Sequence, residues 1–247
     1  MIGLGLGGAV VLMVGLFFLL KGNSENGTNG TNGTASNSAG GTAEDRVTTR
    51  NRLKVLGIAL HNYYEVYNTL PPGAVFDAQG RGHHSWQTSL LPQMDQAPLF
   101  EQIDSKVPWD DPKNVAFFKN EIPDYCRDSD ELKKNSAGFG VSHWAANQYL
   151  MNRNSRIRFG DVRDGLTNTI MAGEVAGNFS PWGQPGNWRD LGRGINKGPD
   201  TFGNPSDKNG LFLMGDGSVR FISEDANPQL LHRLANHEDL QPLDADF

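Results

Sequence analysis

The sequence predicts an α+β fold in which an N-terminal membrane helix and a flexible linker precede one folded domain. Three observations predict it: a charge-free apolar run at the N-terminus, a helical pattern at the start of the body, and short strand-like runs after it. A leading helix followed by an antiparallel sheet with long loops is the α+β pattern. We therefore divide the chain into an anchor (1–21), a linker (22–45) and a domain (46–247).

The first element is the segment 2–20, in which every residue is apolar or glycine; its large side chains include Ile2, Leu12, Phe17 and Leu20. As a helix it would extend roughly 28 Å, close to the ~30 Å hydrocarbon core of a bilayer. A cleaved signal peptide is the alternative, but no basic residue precedes the run and no clear small-residue cleavage site follows it. We expect a transmembrane helix that crosses the cell membrane once, with the lipid bilayer as its partner.

The linker at 22–45 is rich in Asn, Gly, Thr and Ser and has no large apolar residue. Such a segment cannot bury enough apolar surface to offset the entropy lost on ordering, so a flexible tether is expected. Its tandem Asn-Gly-Thr units also match the N-glycosylation acceptor pattern, although a soluble spacer explains the same composition.

Composition excludes several classes of protein. The 247-residue chain has a formal net charge of −6 and a mean hydropathy of −0.48. The domain therefore lacks the basic surface that binding to nucleic acid requires, and no nucleic-acid partner is expected. Cys126 is the only cysteine, which excludes an internal disulfide and a zinc site built from cysteines.

The domain is predicted to begin with an amphipathic helix over 51–67. Leucine and tyrosine side chains recur there at three- and four-residue spacing, as on one face of an α-helix. Pro71-Pro72-Gly73 ends this helix and turns the chain. The predicted inner face comprises Leu53, Leu56, Leu60, Tyr63, Tyr64 and Tyr67, widened by Val55, Ile58 and Ala59.

The rest of the domain shows short helical patterns followed by strands. Helical pieces are predicted within 84–100 and at 114–120, and a final helix at 228–236. Strands are predicted at 145–151, 157–162, 169–175, 211–214 and 218–223, separated by turn residues. Gly215-Asp216-Gly217 should close a tight hairpin between the last two strands, because glycine accepts a positive φ.

Several segments of the domain match the motifs of one known family. The stretch 51–73, NRLKVLGIALHNYYEVYNTLPPG, closely resembles the opening of the DUF1559 family, which is abundant in planctomycete bacteria and is also known as a solute-binding-like family. Further matches at 164–170 and 216–222 extend the resemblance over nearly all of 46–247. The motif residues are Leu53, Gly57, His61, Asn62, Tyr63, Pro71, Pro72, Asp164, Gly165, Asn168, Asp216, Gly217, Ser218 and Val219.

The resemblance implies a pseudopilin-like domain that is exported and lies on the extracytoplasmic side. Members of the family usually begin with a prepilin-type head whose helix continues into the domain. Here the prepilin cleavage motif is missing from the head, and the linker interrupts such a helix. Ser206 also occupies the position where the family's C-terminal signature has a histidine. A simple tether is therefore expected rather than incorporation into a pilus.

Four acidic residues, Asp161, Asp164, Glu174 and Asp216, are the most site-like carboxylates. Asp164 and Asp216 each precede a glycine in a predicted turn, where backbone carbonyls could join Asp164, Glu174 and Asp216 around a calcium ion. The alternative is ordinary turn chemistry, in which aspartate accepts hydrogen bonds from backbone amides. The histidines are scattered and show no metal-binding spacing such as H-E-x-x-H.

Two tryptophans, Trp182 and Trp188, lie in a loop rich in Gly, Pro and Asn. Large rings in such a loop would be hard to bury, so they could form a stacking surface for a glycan or another solute. The alternative is that the rings pin long loops onto the sheet.

The function predicted first is non-enzymatic: a membrane-tethered protein of the cell envelope that acts by surface recognition or assembly, together with envelope, secretion or pilus-like proteins. The second hypothesis is a glycan- or solute-binding module that uses Trp182 and Trp188. The third is a hydrolase that uses Asp164, Glu174 and Asp216. No G-x-S-x-G motif and no phosphate-binding glycine loop is present in the sequence.

Overall fold

The computed structural model describes residues 42–128 and 132–241. The predicted anchor at 1–21 and most of the predicted linker lie outside the described residues. Across the described ranges, no helix combines the length and the apolar character needed to cross a bilayer.

The described residues form five α-helices, of which the first is by far the longest. Their bounds are α1 (Ala43–Tyr67), α2 (Trp86–Leu90), α3 (Ala97–Phe100), α4 (Pro112–Phe118) and α5 (Pro228–Ala235). Short 3₁₀ turns lie at Leu91–Met94, Pro123–Tyr125, Phe159–Asp161, Leu166–Asn168 and Leu191–Arg193. The predicted helices at 51–67, 114–120 and 228–236 are confirmed as α1, α4 and α5.

Helix α1 begins at a capping box. The Thr42 hydroxyl accepts the Asp45 N–H at 3.2 Å, and the Thr42 N–H donates to the Asp45 carboxylate at 2.6 Å. The last residues assigned to the linker, 42–45, therefore belong to the folded domain. The helix ends at Asn68, which adopts a left-handed conformation with φ of 54°.

Within the part of the chain that the structure describes, seven strands form two sheets. The strands are β1 (Ala74–Phe76), β2 (Gly82–Ser85), β3 (Trp144–Asn147), β4 (Ile170–Glu174), β5 (Trp188–Arg189), β6 (Asn209–Met214) and β7 (Val219–Ser223). Strands β1 and β2 make a small antiparallel ribbon, and the other five form a sheet in the order β5-β3-β4-β6-β7. That sheet is antiparallel except for the parallel pair β3–β5, so the predicted all-antiparallel sheet is wrong at this edge.

The last two strands form the predicted hairpin. Leu213 pairs with Val219 across it, and Gly217 adopts the positive φ, 81°, that the turn requires. The strand predicted at 157–162 is wrong. There Asp161 accepts the Arg158 N–H at 2.9 Å, and this local bond closes a 3₁₀ turn instead of leaving the backbone extended.

The main sheet has a helix on each face, because alternate residues of a strand point to opposite sides. Leu211 and Leu213 belong to a core with Leu53, Leu56 and Leu60 of α1. Phe212 and Met214 belong to a second core with Leu231 and Leu234 of α5. The structure is thus α+β, with the sheet between the two helices.

The outer side of α1 departs from the prediction. Val55 and Ile58 were predicted to widen the buried face, but they are 38% and 61% exposed. The sheet covers only the side that carries Leu53, Leu56 and Leu60, which are fully buried.

Candidate functional site

The structure does not bring the three predicted calcium carboxylates together. Asp164 accepts the N–H groups of Asp239 and Leu240 at 3.2 and 2.7 Å, which holds the C-terminal segment against the domain. The Asp216 carboxylate accepts the Ser218 N–H at 2.9 Å within the hairpin turn. Glu174 lies at the other end of β4, about 13 Å along the strand from the end near these turns.

Glu174 is part of a buried ion-pair network between α1 and the sheet. Its side chain is fully buried, 2.8 Å from the Arg46 guanidinium, and it accepts the Leu211 N–H at 2.6 Å. Burial raises the pKa of the Glu174 carboxyl, and the charges of Arg46 and Arg127 partly offset that rise. Arg46 also binds Asp207 at 2.9 Å.

Within 42–128 and 132–241, no group of three or more His, Cys, Asp or Glu side chains is arranged to hold a metal ion. Asp161, the fourth predicted carboxylate, pairs with Arg158 at 3.1 Å. The turn-chemistry alternative describes the contact of Asp216, whereas the Asp164 carboxylate binds the distant C-terminal segment.

The stacking surface predicted from two tryptophans does not form, because Trp182 is fully buried. Its ring centroid lies 4.9 Å from that of Phe118, and its indole N–H donates to the Asn120 carbonyl at 2.8 Å. Trp188 is half-buried in β5 and packs against the core. The alternative, in which the rings pin long loops, therefore describes Trp182.

A pocket of about 350 Å³ opens where α1 meets the β6–β7 turn; we call it the helix–hairpin pocket. A Cβ on Gly57 would lie 2.8 Å from the end of the Leu213 side chain, which would have to shift to admit it. His61 Nε2 lies 2.9 Å from the Gly215 carbonyl oxygen and ties the turn to the helix. The lining comprises Lys54, Gly57, Ile58, His61, Asn62, Asp216 and Gly217.

The rim of this pocket is exposed and chemically mixed. Ile58 supplies an apolar centre, and Lys54, Asn62 and Asp216 supply polar groups around it. Gly57 and His61 were identified in the sequence only as motif residues. Gly57 and His61 lie in the same pocket because α1 packs against β6, and no local pattern in the sequence predicts that packing.

A second cavity, of about 610 Å³, lies beyond the C-terminal end of α1; we call it the tyrosine groove. Its lining includes Tyr63, Tyr67, Thr69, Phe76 and Arg156. Tyr63 and Tyr67 were predicted to face the core; Tyr63 is partly buried and packs against it, whereas Tyr67 is 55% exposed.

A family model described as "Protein of unknown function (DUF1559)" matches residues 46–141 and 129–202, which together make up more than half of the chain. The chain belongs to the DUF1559 family. No curated protein and no solved structure matches the chain significantly. The predicted DUF1559 resemblance is therefore confirmed, and the hairpin motif at 216–219 lies beyond the matched residues.

The DUF1559 motif residues separate into three groups in space. Gly57, His61, Asn62, Asp216 and Gly217 line the helix–hairpin pocket, and Tyr63 and Pro72 line the tyrosine groove. The remaining motif residues have structural roles: Leu53 in the core, Pro71 buried after α1, Asp164 bonded to the C-terminal segment, Gly165 at a φ of 89°, Asn168 donating to the Asp164 carbonyl, Ser218 in the hairpin turn and Val219 at the start of β7.

Proposed function

We propose that this DUF1559 protein is a membrane-tethered component of the cell envelope that acts without catalysis, through recognition or assembly at its surface. Its pseudopilin-like domain would stand on the extracytoplasmic side, held by the anchor at 1–21 and the linker. The apolar run at 2–20, the linker composition and the family motifs support this proposal.

The observation that carries the proposal is the outward side of α1. Val47, Val55, Ile58 and Val66 are between 38% and 67% exposed there. Their spacing places them within about 100° of the helix circumference, and we call this side of α1 the stripe; Asn51, Asn62 and Glu65 are interspersed among them. Apolar side chains exposed on one side of a rigid helix support a protein interaction site there.

The helix–hairpin pocket gives this stripe a defined shape. Gly57 and His61 hold the β6–β7 turn against α1, which places Asp216 beside Ile58 and Asn62. The pocket has an apolar centre with polar groups around it, and both are held in place before a partner binds. Such a surface loses less conformational entropy on association than a mobile surface does. The pocket is therefore the part of the stripe best suited to specific recognition.

Photo-crosslinking tests this surface. With p-benzoylphenylalanine in place of Ile58 in the full chain, in its native cells, we expect discrete adducts with another envelope protein or a second copy. The matched control carries the same group in place of Ala116, an exposed residue of α4. Equal adducts at both positions, or none at position 58, would contradict recognition at this pocket.

Fractionation tests the tether independently. After lysis without detergent, the full-length chain is expected to sediment with membranes and to resist alkaline washing, because the run at 2–20 buries its apolar surface in lipid. A variant that begins at Gly22 should remain in the supernatant. Finding the uncleaved full-length chain in the supernatant would rule out the membrane tether.

The structure bears differently on the two other hypotheses. The glycan- or solute-binding module loses its proposed surface because Trp182 is buried, but the tyrosine groove offers another aromatic surface. The hydrolase hypothesis relied on carboxylates that lie apart and have structural partners. We therefore retain ligand binding as the second proposal.

A further inference from the structure

The tyrosine groove combines stacking surfaces with groups that form hydrogen bonds. The rings of Tyr63 and Tyr67 lie 4.3 Å apart, centroid to centroid, and Phe76 lines the same cavity. Thr69 and Ser155 add hydroxyl groups to the lining. The volume, about 610 Å³, lies within the ~300–1,000 Å³ range of small-molecule sites.

The walls of the groove are held in place by backbone contacts. Asn154 binds β1 through three bonds: its N–H donates to Ala74, and its side chain accepts from and donates to the backbone of Phe76, at 2.8 to 3.2 Å. Gly73 allows this approach, because a Cβ there would overlap the Met151 carbonyl. The groove is therefore formed before a ligand arrives, which lowers the entropy lost on binding.

Arg156 is the only charged residue among those that line the groove. Its exposed guanidinium makes no salt bridge to any described residue. Arg153 adds a second positive charge next to the groove, 4.4 Å from the centre of the Phe76 ring. The groove thus favours an anion and disfavours the cationic ligands that aromatic cages often bind.

Neighbouring titratable groups leave this positive charge in place. Burial works to raise the pKa of Asp77, but hydrogen bonds from the Arg81 backbone and from the His83 and Arg81 side chains hold it well below the usual range. The Asp77 carboxylate therefore interacts with Arg81 and His83 rather than with Arg156. Burial and the neighbouring Tyr67 raise the pKa of Tyr63 by more than the charge of Arg156 lowers it. The Tyr63 phenol therefore stays neutral and can donate a hydrogen bond.

We propose that the tyrosine groove binds an acidic oligosaccharide, one whose sugar rings carry carboxylates. A sugar ring can stack on Tyr67 while its hydroxyls bond to Thr69 and the phenols; the Ser155 hydroxyl is bonded to the Asn152 backbone. The planar guanidinium of Arg156 can take the carboxylate through two parallel hydrogen bonds. This proposal rests on the ligand-binding function retained above, for which it names the ligand class, and it does not depend on recognition along α1.

Calorimetry on the full chain in lipid nanodiscs tests the proposal. The probes are trimers of galacturonic, mannuronic and guluronic acid, with galactotriose as the neutral counterpart and hexaglutamate as an acidic peptide. We expect at least one uronic acid trimer to bind at least about tenfold more tightly than galactotriose or hexaglutamate, because only it offers both stacking and a carboxylate.

Two substitutions localise the binding. Arg156→Gln is expected to weaken it about tenfold, by loss of a charge-assisted pair, and Tyr67→Ala about fivefold, by loss of the stacking ring. Arg193→Gln, at an exposed arginine outside the groove, is the matched control and should change nothing. No binding of any trimer, equal binding of galactotriose or hexaglutamate, or unchanged binding in Arg156→Gln would overturn the proposal.

Discussion

Replacing Trp182 by alanine is expected to lower the free energy of unfolding by about 3–5 kcal/mol, the usual cost of removing a fully buried large aromatic side chain. The indole is wholly shielded from solvent, packs against Phe118 and Tyr125, and donates to the Asn120 carbonyl. The substitution leaves a cavity in the core and an acceptor without its donor. Urea unfolding of the full chain in detergent, followed by circular dichroism, measures the change.

Trp188→Ala is the matched control for that experiment. Trp188 is only half-buried, on the two-residue edge strand β5, so a smaller loss of stability is expected. If Trp182→Ala left the unfolding free energy unchanged and instead abolished binding of a glycan, the buried position of this ring would be contradicted.

Replacing Glu174 by glutamine is expected to destabilise the fold by about 1–3 kcal/mol, because Arg46 loses one charged hydrogen-bond partner and keeps the other, Asp207. Arg46, 2.8 Å away, would then keep a positive charge in a largely buried place. The same pair joins α1 to β4, so the loss should be global. Urea unfolding of the full chain measures it, with Glu65→Gln on the exposed side of α1 as the control.

The double variant Arg46→Met, Glu174→Leu tests whether the two residues of the ion pair are energetically coupled. Because both changes remove the same ion pair, the double variant should lose less stability than the sum of the two single losses, even though Asp207 and the Leu211 N–H also lose a partner. Additive losses, as expected for two residues that do not interact, would contradict the coupling described here.

The parts of the fold that follow from local patterns were predicted. The leucines of α1 repeat with the helix period, and the β6–β7 hairpin has two alternating runs around a Gly-Asp-Gly turn. The segment 157–162 has a similar apolar pattern, but the Asp161 side chain competes for the backbone and forms a 3₁₀ turn. Sequence reasoning could not weigh that competition without the surrounding contacts.

Site features that depend on distant contacts could not be predicted. Glu174 and Asp216 both lie next to glycines in the sequence. Whether their side chains meet depends on their places in the sheet: Glu174 is the last residue of β4, and Asp216 lies in the turn after β6. The tyrosines of α1 continue the three- and four-residue spacing of the leucines. Whether the core covers Tyr67 depends on tertiary packing, which this spacing does not report. Trp182 is buried because Gly183 lets the loop approach Phe118 closely.

The capping box at Thr42 has a mechanical consequence. Since α1 starts there, tension arriving from the N-terminal side acts on a stiff helix rather than on slack chain. Arg46, one turn inside, bonds to Glu174, Asp207 and Asn209. The first attachment to bear the load is therefore this set of bonds to the last residue of β4, the first residue of β6 and Asp207.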